Sequence, residues 1–560
     1  MKQKFAYALV IGGALVLTGC GKKLTAFQSD YFTVNPSPLE VVGNNVPATV
    51  TARIPGNFFL KNAEVTVTPY LEFNGTEVAA QSYTFQGENV RGNNPVVNYE
   101  YGGIVSIPVN YVYQPEMSNS ALTLAFDVKQ GGKQYVLPRV KVADGVIATA
   151  TLADVATVTP AITADKFQRI INEQYAADIT FLINQANVRQ GQIKSEDILA
   201  LHEQLRLADA DSSRVIEGIN ISSYASPEGA VDFNTRLAEQ REQNTSTYLR
   251  GQLKRDKITE FGELTAQFTA EDWEGFQSLV AASDIQDKEL ILSVLSMYKD
   301  PEEREREIRN LSTIFDQLAD EILPQLRYSR ITASINVIGK SDEEIAALYA
   351  TNPSALNVDE LLYCATLTDN VDEKTAIYTT ATRIYPEDYR TFNNLGMCQY
   401  IAKNYDAAEA SFNKAARING DSEEVKMNLG LLSMLENDYS EANQLFGEAA
   451  GVEALNDALG VYYLETGDNN AAVKAFGNSK TNNAALAQIL TKDYSKAKST
   501  LSAINNPDAT TYYLMAVLGA RTNNEQMVFS NLRQAIKLDA SFAEKAKNDM
   551  EFAGLDLSAI

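Results

Sequence analysis

Over its first third the chain alternates between apolar and polar positions. Val65, Val67 and Tyr70-Leu71 lead into Asn74-Gly75, and Leu122, Leu124, Phe126 and Val128 take every second position before Gly131-Gly132. Period two puts such residues on one face of a strand, and Asn-Gly suits a two-residue hairpin turn. A further run spans Tyr135 to Val142, and a Val/Ile/Tyr-rich stretch from Val96 to Tyr113 is cut by Gly102-Gly103 and Pro108. Short strands separated by turn signals predict an all-β sandwich over residues 20–160. Tyr99, Tyr101, Tyr111 and Tyr113 either pack across strands or face a ligand. Cross-strand packing is the commoner use, so no site is assigned there.

Thr151 to Thr163 reads as a linker. A mixed pattern follows over residues 165–340 and predicts an α+β domain. Its elements are a strand over Ala177 to Ile183, then a helix over Ser195 to Leu207 with Ile198, Leu201 and Leu205 inward and His202 on the solvent side. Ile219, Ile221 and Tyr224 mark a second strand. Ala225-Ser226-Pro227-Glu228-Gly229 breaks the pattern: Pro227 holds Ser226 extended and Gly229 permits a positive φ. A helix follows from about Ala230 to Leu249, with Phe233, Leu237, Arg241, Asn244 and Tyr248 on one stripe. Arg241 is a full charge on an inward face, and its burial calls for an anionic partner. Leu264 to Phe268 and Arg330 to Ile338 complete the strands. Between them a helical insertion occupies about 272–326, with one amphipathic piece marked by Trp273, Phe276, Leu279 and Val280. Another is marked by Ile308, Leu311, Phe315, Leu318 and Ile322.

The strand, loop and helix from 215 to 249 resemble the peptidoglycan-binding OmpA-like family. Its pattern of Thr-Asp, Gly, an aromatic-Asn pair, Leu and Arg falls here on Ala225-Ser226, Gly229, Phe233-Asn234, Leu237 and Arg241. The resemblance implies a pocket for the diaminopimelate of a peptidoglycan stem peptide, with Arg241 on its carboxylate and Asn234 and Gly229 shaping the site. The family's acid is replaced by Ser226, and Glu228 is the carboxylate near enough to stand in for it.

The last third repeats. Leu395-Gly396, Tyr405, Ala408, Phe412 and Ala415 recur 34 residues later as Leu429-Gly430, Tyr439, Ala442, Phe446 and Ala449. Period and residue types resemble the tetratricopeptide repeat (TPR), whose paired helices stack into a solenoid. About six units with a C-terminal cap are expected over 355–560, an all-α array. In that family the first helices line a concave groove, here Met397 and Tyr400, then Met427, Leu431 and Met434. Such a row suits an amphipathic helix or hydrophobic peptide of an envelope protein. The other reading is that the row packs against the chain's own OmpA-like domain or cap. Cys364 and Cys398, also 34 apart, are read as buried thiols.

Composition narrows the chemistry. The chain has 560 residues and a net charge of -24, which argues against nucleic acid and anionic lipid surfaces. With one His and one Trp it offers no metal cluster, nucleotide loop or catalytic triad, so neither an enzyme nor a cofactor is expected. Lys2 and Lys4 precede an apolar run, Phe5 to Leu17, too short to span a membrane. Leu17-Thr18-Gly19-Cys20 looks like a lipobox, implying a signal peptide over 1–19 and acylation of Cys20. The lipid would anchor the protein in the outer membrane, facing the periplasm. The expectation is a lipoprotein that links outer membrane to peptidoglycan and recruits a protein through its repeats. The alternative is an envelope assembly or secretion scaffold whose OmpA-like domain no longer binds peptidoglycan.

Overall fold

The computed structural model describes residues 23–285, 288–310 and 312–559, with no side chains described at 308, 312–315 and 559. The signal peptide and Cys20 lie outside the described residues, as do the side chains of Ile308, Leu311 and Phe315. The chain forms two compact units. One joins everything up to Ala164 with everything from Thr368 on, and the other is Asp165–Leu367.

The first part of the discontinuous unit is mostly β. Phe32–Asn35, Asn45–Ile54 and Gly103–Val112 form one sheet. Lys133–Asp144, Ser120–Gln130, Ala63–Phe73, Tyr83–Gly87 and Val96–Val97 form a second, with Thr76–Ala79 beside Ala63–Phe73. Val50 and Ile107 of one sheet share a core with Val67, Leu124 and Phe126 of the other. The strand runs through Pro108 instead of breaking there; it lies at a sheet edge, where proline is tolerated because only one side of the strand carries ladder bonds. Of the four tyrosines, Tyr111 is buried and Tyr101 stands in solvent.

The C-terminal part is built of antiparallel helix pairs: Tyr389–Ile401 with Tyr405–Ile418, Glu423–Leu435 with Tyr439–Gly447, Leu455–Thr466 with Asn469–Phe476, Asn482–Leu490 with Tyr494–Ser502, and Ala509–Arg521 with Glu525–Leu538. Ser541–Asn548 follows as a cap. Glycine sets the spacing within three of these pairs. A Cβ at Gly396, Gly430 or Gly460 would lie 2.6, 2.6 or 2.5 Å from the ring of Phe412, Phe446 or Phe476. Cys364 and Cys398 are free and buried.

The continuous unit is α+β. Its sheet runs Ile170–Thr180, Tyr328–Ile338, Arg214–Tyr224, Glu263–Thr269, antiparallel except for the last pair. Helices Glu196–Ala210 and Val231–Asp256 cover it, with Ile198, Leu201, Leu205, Leu249 and Leu253 meeting Ile219, Ile221, Ile331 and Ile335. The first strand begins seven residues earlier than expected, and Leu182 and Ile183 are exposed beyond its end. Phe276, Val280, Ile291, Leu318 and Ile322 give the helical insertion a core of its own. His202 is buried, contrary to expectation, because its helix has a second neighbour: Nε2 lies 2.9 Å from the Tyr248 hydroxyl.

Candidate functional sites

Arg241 projects from the middle of Val231–Asp256 into the end of the sheet and is 0% exposed. Its partners are carbonyls, not a carboxylate. Nε donates to Gln185 O at 3.1 Å, Nη1 to Tyr224 O at 2.7 Å and Nη2 to Leu182 O at 3.4 Å. The guanidinium also lies over the Phe181 ring, 5.0 Å from its centroid. Burial, and then the nearby Arg327, push its pKa down to about 10, with Glu228 opposing; it stays charged at neutral pH. The expected anionic partner is therefore replaced by three backbone carbonyls, which take up N–H groups that burial would otherwise leave unpaired.

Glu228 is engaged elsewhere. Arg327 grips it through two bonds, Nε to Oε1 and Nη2 to Oε2, both 3.0 Å. Ser226 Oγ donates to the same Oε1 at 2.8 Å and accepts from Arg327 Nε at 3.3 Å. Asn234 Nδ2 ties the loop by donating to Ser226 O, Gly229 O and Glu271 Oε1. Gly229 does not use the left-handed region it was expected to use, and Phe233 is largely exposed instead of inward. Ser226, Glu228, Gly229 and Asn234 thus share one network with Arg327, whose place in it the sequence reading missed. Arg241 is sealed beneath the end of the sheet.

The second site is the inner side of the helical repeats. Met397, Tyr400, Met427, Leu431 and Met434, expected to line an open groove, are all buried. The expected linker packs with the last four: its Val155, Val158 and Ala161 belong to the same apolar core as Tyr400, Met427, Leu431 and Met434. Asparagines hold this strap by its backbone. Asn428 accepts from Ala161 N at 2.7 Å and donates to Ala161 O at 2.8 Å. Asn394 pairs in the same way with Thr163 N and O, at 2.9 and 3.0 Å, and Asn483 with Asp154 N and O, at 3.0 and 2.9 Å. Asn393 adds a bond to Ala161 O at 3.0 Å, and Tyr400 OH donates to Val155 O at 2.9 Å. All four asparagines are buried.

Residues 389–422 match the tetratricopeptide repeat family model. That stretch is the helix pair Tyr389–Ile401 with Tyr405–Ile418, and the pairs after it are all-α helical repeats consistent with the same family. Repeats of this kind are protein-interaction modules, and here they hold a segment that makes one 3-10 turn at Val155–Thr157 and then runs without regular structure. No curated protein matches the chain. Among solved structures the chain is similar to PilF of Pseudomonas aeruginosa, at 16% identity over 36% of this chain and 95% of that one, TM-score 0.28. It is similar to YrrB, described as a TPR protein with an unusual peptide-binding site, at 21% over 30% and 97%, TM-score 0.23. A tetratricopeptide repeat protein from Parabacteroides merdae is 14% identical over 44% and 98%, TM-score 0.30.

Asn394 and Asn428 stand 34 residues apart, at equivalent places in consecutive repeats. They meet strap residues two apart, the repeat distance of one face of an extended chain. A polar residue recurring at the TPR period in mid-helix, where asparagine is a poor helix former, is the signal that could have found them.

Proposed function

We propose that this protein is a non-enzymatic scaffold of the bacterial envelope, anchored to the outer membrane through acylated Cys20 and facing the periplasm. In this reading the repeats do the recruiting, and the central domain carries the OmpA-like architecture without gripping the wall. The observation that carries it is the state of Arg241: sealed from water, with three carbonyls on its N–H groups, it presents no face to a stem-peptide carboxylate. Glu228, the stand-in for the family acid, is held by Arg327 in the same loop network. A ligand would have to displace both sets of bonds, each charge-assisted and worth about 1.5–3 kcal/mol.

One pair of measurements tests the proposal. Wild type should fractionate with membranes, and Cys20→Ala should be released or left unprocessed. That unanchored form, mixed with purified peptidoglycan sacculi, should stay in the supernatant. If it sediments, and free diaminopimelate competes it off, the protein links membrane to wall after all.

A further inference from the structure

The strap is not a chain that happens to cross a groove. Three asparagines, 394, 428 and 483, each satisfy both the N–H and the C=O of one strap residue, as a neighbouring β-strand would. Contacts of that kind read backbone, not side chains. Selectivity comes from what the groove admits: Val155, Val158, Pro160, Ala161 and Thr163 face inward, while Thr157, Thr159 and Ile162 face out. None of the residues from 155 to 164 is charged, and those that enter are small or β-branched. The row beneath is apolar, so a charged side chain entering it would be left without a partner.

We infer that the groove is a site for a partner segment with small, uncharged inward side chains, extended except for one 3-10 turn such as Val155–Thr157, and that residues 154–163, whose Asp154 side chain stays in solvent, are its displaceable occupant in cis. The inference rests on the scaffold reading and says how recruitment is held in check. Tethered at both ends, the strap competes at an effective concentration on the order of millimolar. A free segment of equal fit therefore enters only at comparable concentration, or once the strap is drawn out. Any partner that pulls on the chain on either side of residues 154–163 would open the groove, and a partner offering a better segment would hold it open.

The probe is a fluorescein-labelled peptide of the native sequence 151–165, titrated into the full chain. In Val158→Asp/Ala161→Asp, two unpaired carboxylates keep the strap out, and the peptide should bind at least tenfold more tightly than to wild type. Adding Asn428→Ala to that variant removes one backbone pair and should weaken binding by roughly tenfold. In wild type, amide exchange at Asp154, Ala161 and Thr163 should accelerate when unlabelled peptide reaches millimolar levels. Equal binding to wild type and the strap-out variant would place the peptide elsewhere and overturn the inference. So would a folded strap-out variant that ignores the peptide. Should that variant fail to fold, unchanged exchange in wild type is the overturning result. Membrane and sacculus fractionation are indifferent to all of these outcomes, so the scaffold reading stands or falls separately.

Discussion

A guanidinium carries five N–H donors and cannot shed its charge at neutral pH, so burying one commits the surrounding backbone to it. Arg241 meets that requirement with the carbonyls of Leu182, Gln185 and Tyr224, and so pins the loop after the first strand to the end of the second. His202 shows the opposite solution, a titratable ring buried next to a hydroxyl. Burial lowers its pKa, with Arg206 and Arg255 adding to the effect and Asp256 opposing it. A depressed histidine pKa means that the unfolded chain binds the proton more readily than the folded one. Its stabilising contribution is therefore whole above the ordinary value of about 6.5 and is lost as pH falls below it. As the chain's single histidine, His202 gives an unambiguous NMR titration, expected with a midpoint below 6.5, and His202→Gln should flatten stability against pH in that window. A midpoint at or above the ordinary value would refute the burial argument. Arg241 was legible as the lone charge on an inward stripe. Its partners were not, because backbone carbonyls leave no trace in residue identity; nor was the partner of Glu228, because Arg327 lies 99 residues away along the chain. His202 was misread because one helix face was assumed buried where two are.

At the scale of elements, the repeats fit together because a glycine on one helix admits a ring from the next. Gly430 is one case: Phe446 is buried, and a methyl group at Gly430 would lie 2.6 Å from its Cε1. Gly430→Ala should cost about 1–3 kcal/mol through overpacking, although alanine is the better helix former. Phe446→Leu in the same chain should return part of that loss, giving a coupling that a double-mutant cycle reads directly. Gly447→Ala is the control, since nothing lies within 4 Å of its added Cβ; it should be neutral or stabilising by up to about 1 kcal/mol. Equal effects at the two glycines would mean that the ring does not fix the helix spacing. This part of the design was plain from the 34-residue period of Gly, Ala and Phe. The strap was not, because a segment held by its backbone needs no periodic side chains of its own. Val155, Val158 and Ala161 then read as loop, while the asparagines that hold them sit 231 to 329 residues further on.

For the whole molecule, the consequence is that neighbours in sequence are not the compact units of the structure. The sequence reading set three modules side by side, whereas the β region and the repeats form one compact unit, with Asp165–Leu367 as another. Besides the strap, Asn44 donates to the Tyr439 hydroxyl at 3.2 Å, and Arg521 bridges Glu40 at 3.3 Å and Glu551 at 2.7 Å. Arg521 is held above its usual range despite burial, because both carboxylates outweigh the loss of water. Contacts this far apart in the chain make two regions melt together when they are densely bonded across the join. Calorimetry of the full chain should therefore show two transitions. Leu124→Ala in the β core and Phe446→Ala in the repeats, each costing about 2–5 kcal/mol, should lower the same one. Ile335→Ala, in the sheet of the continuous unit, should lower the other. If Leu124→Ala and Phe446→Ala instead move different transitions, the strap and its neighbouring bonds tether two independent domains. Drawing the strap out would then leave the β region's stability untouched. If they move one, displacing the strap weakens both regions together, and a partner entering the groove would change the stability of the β region as well as that of the repeats.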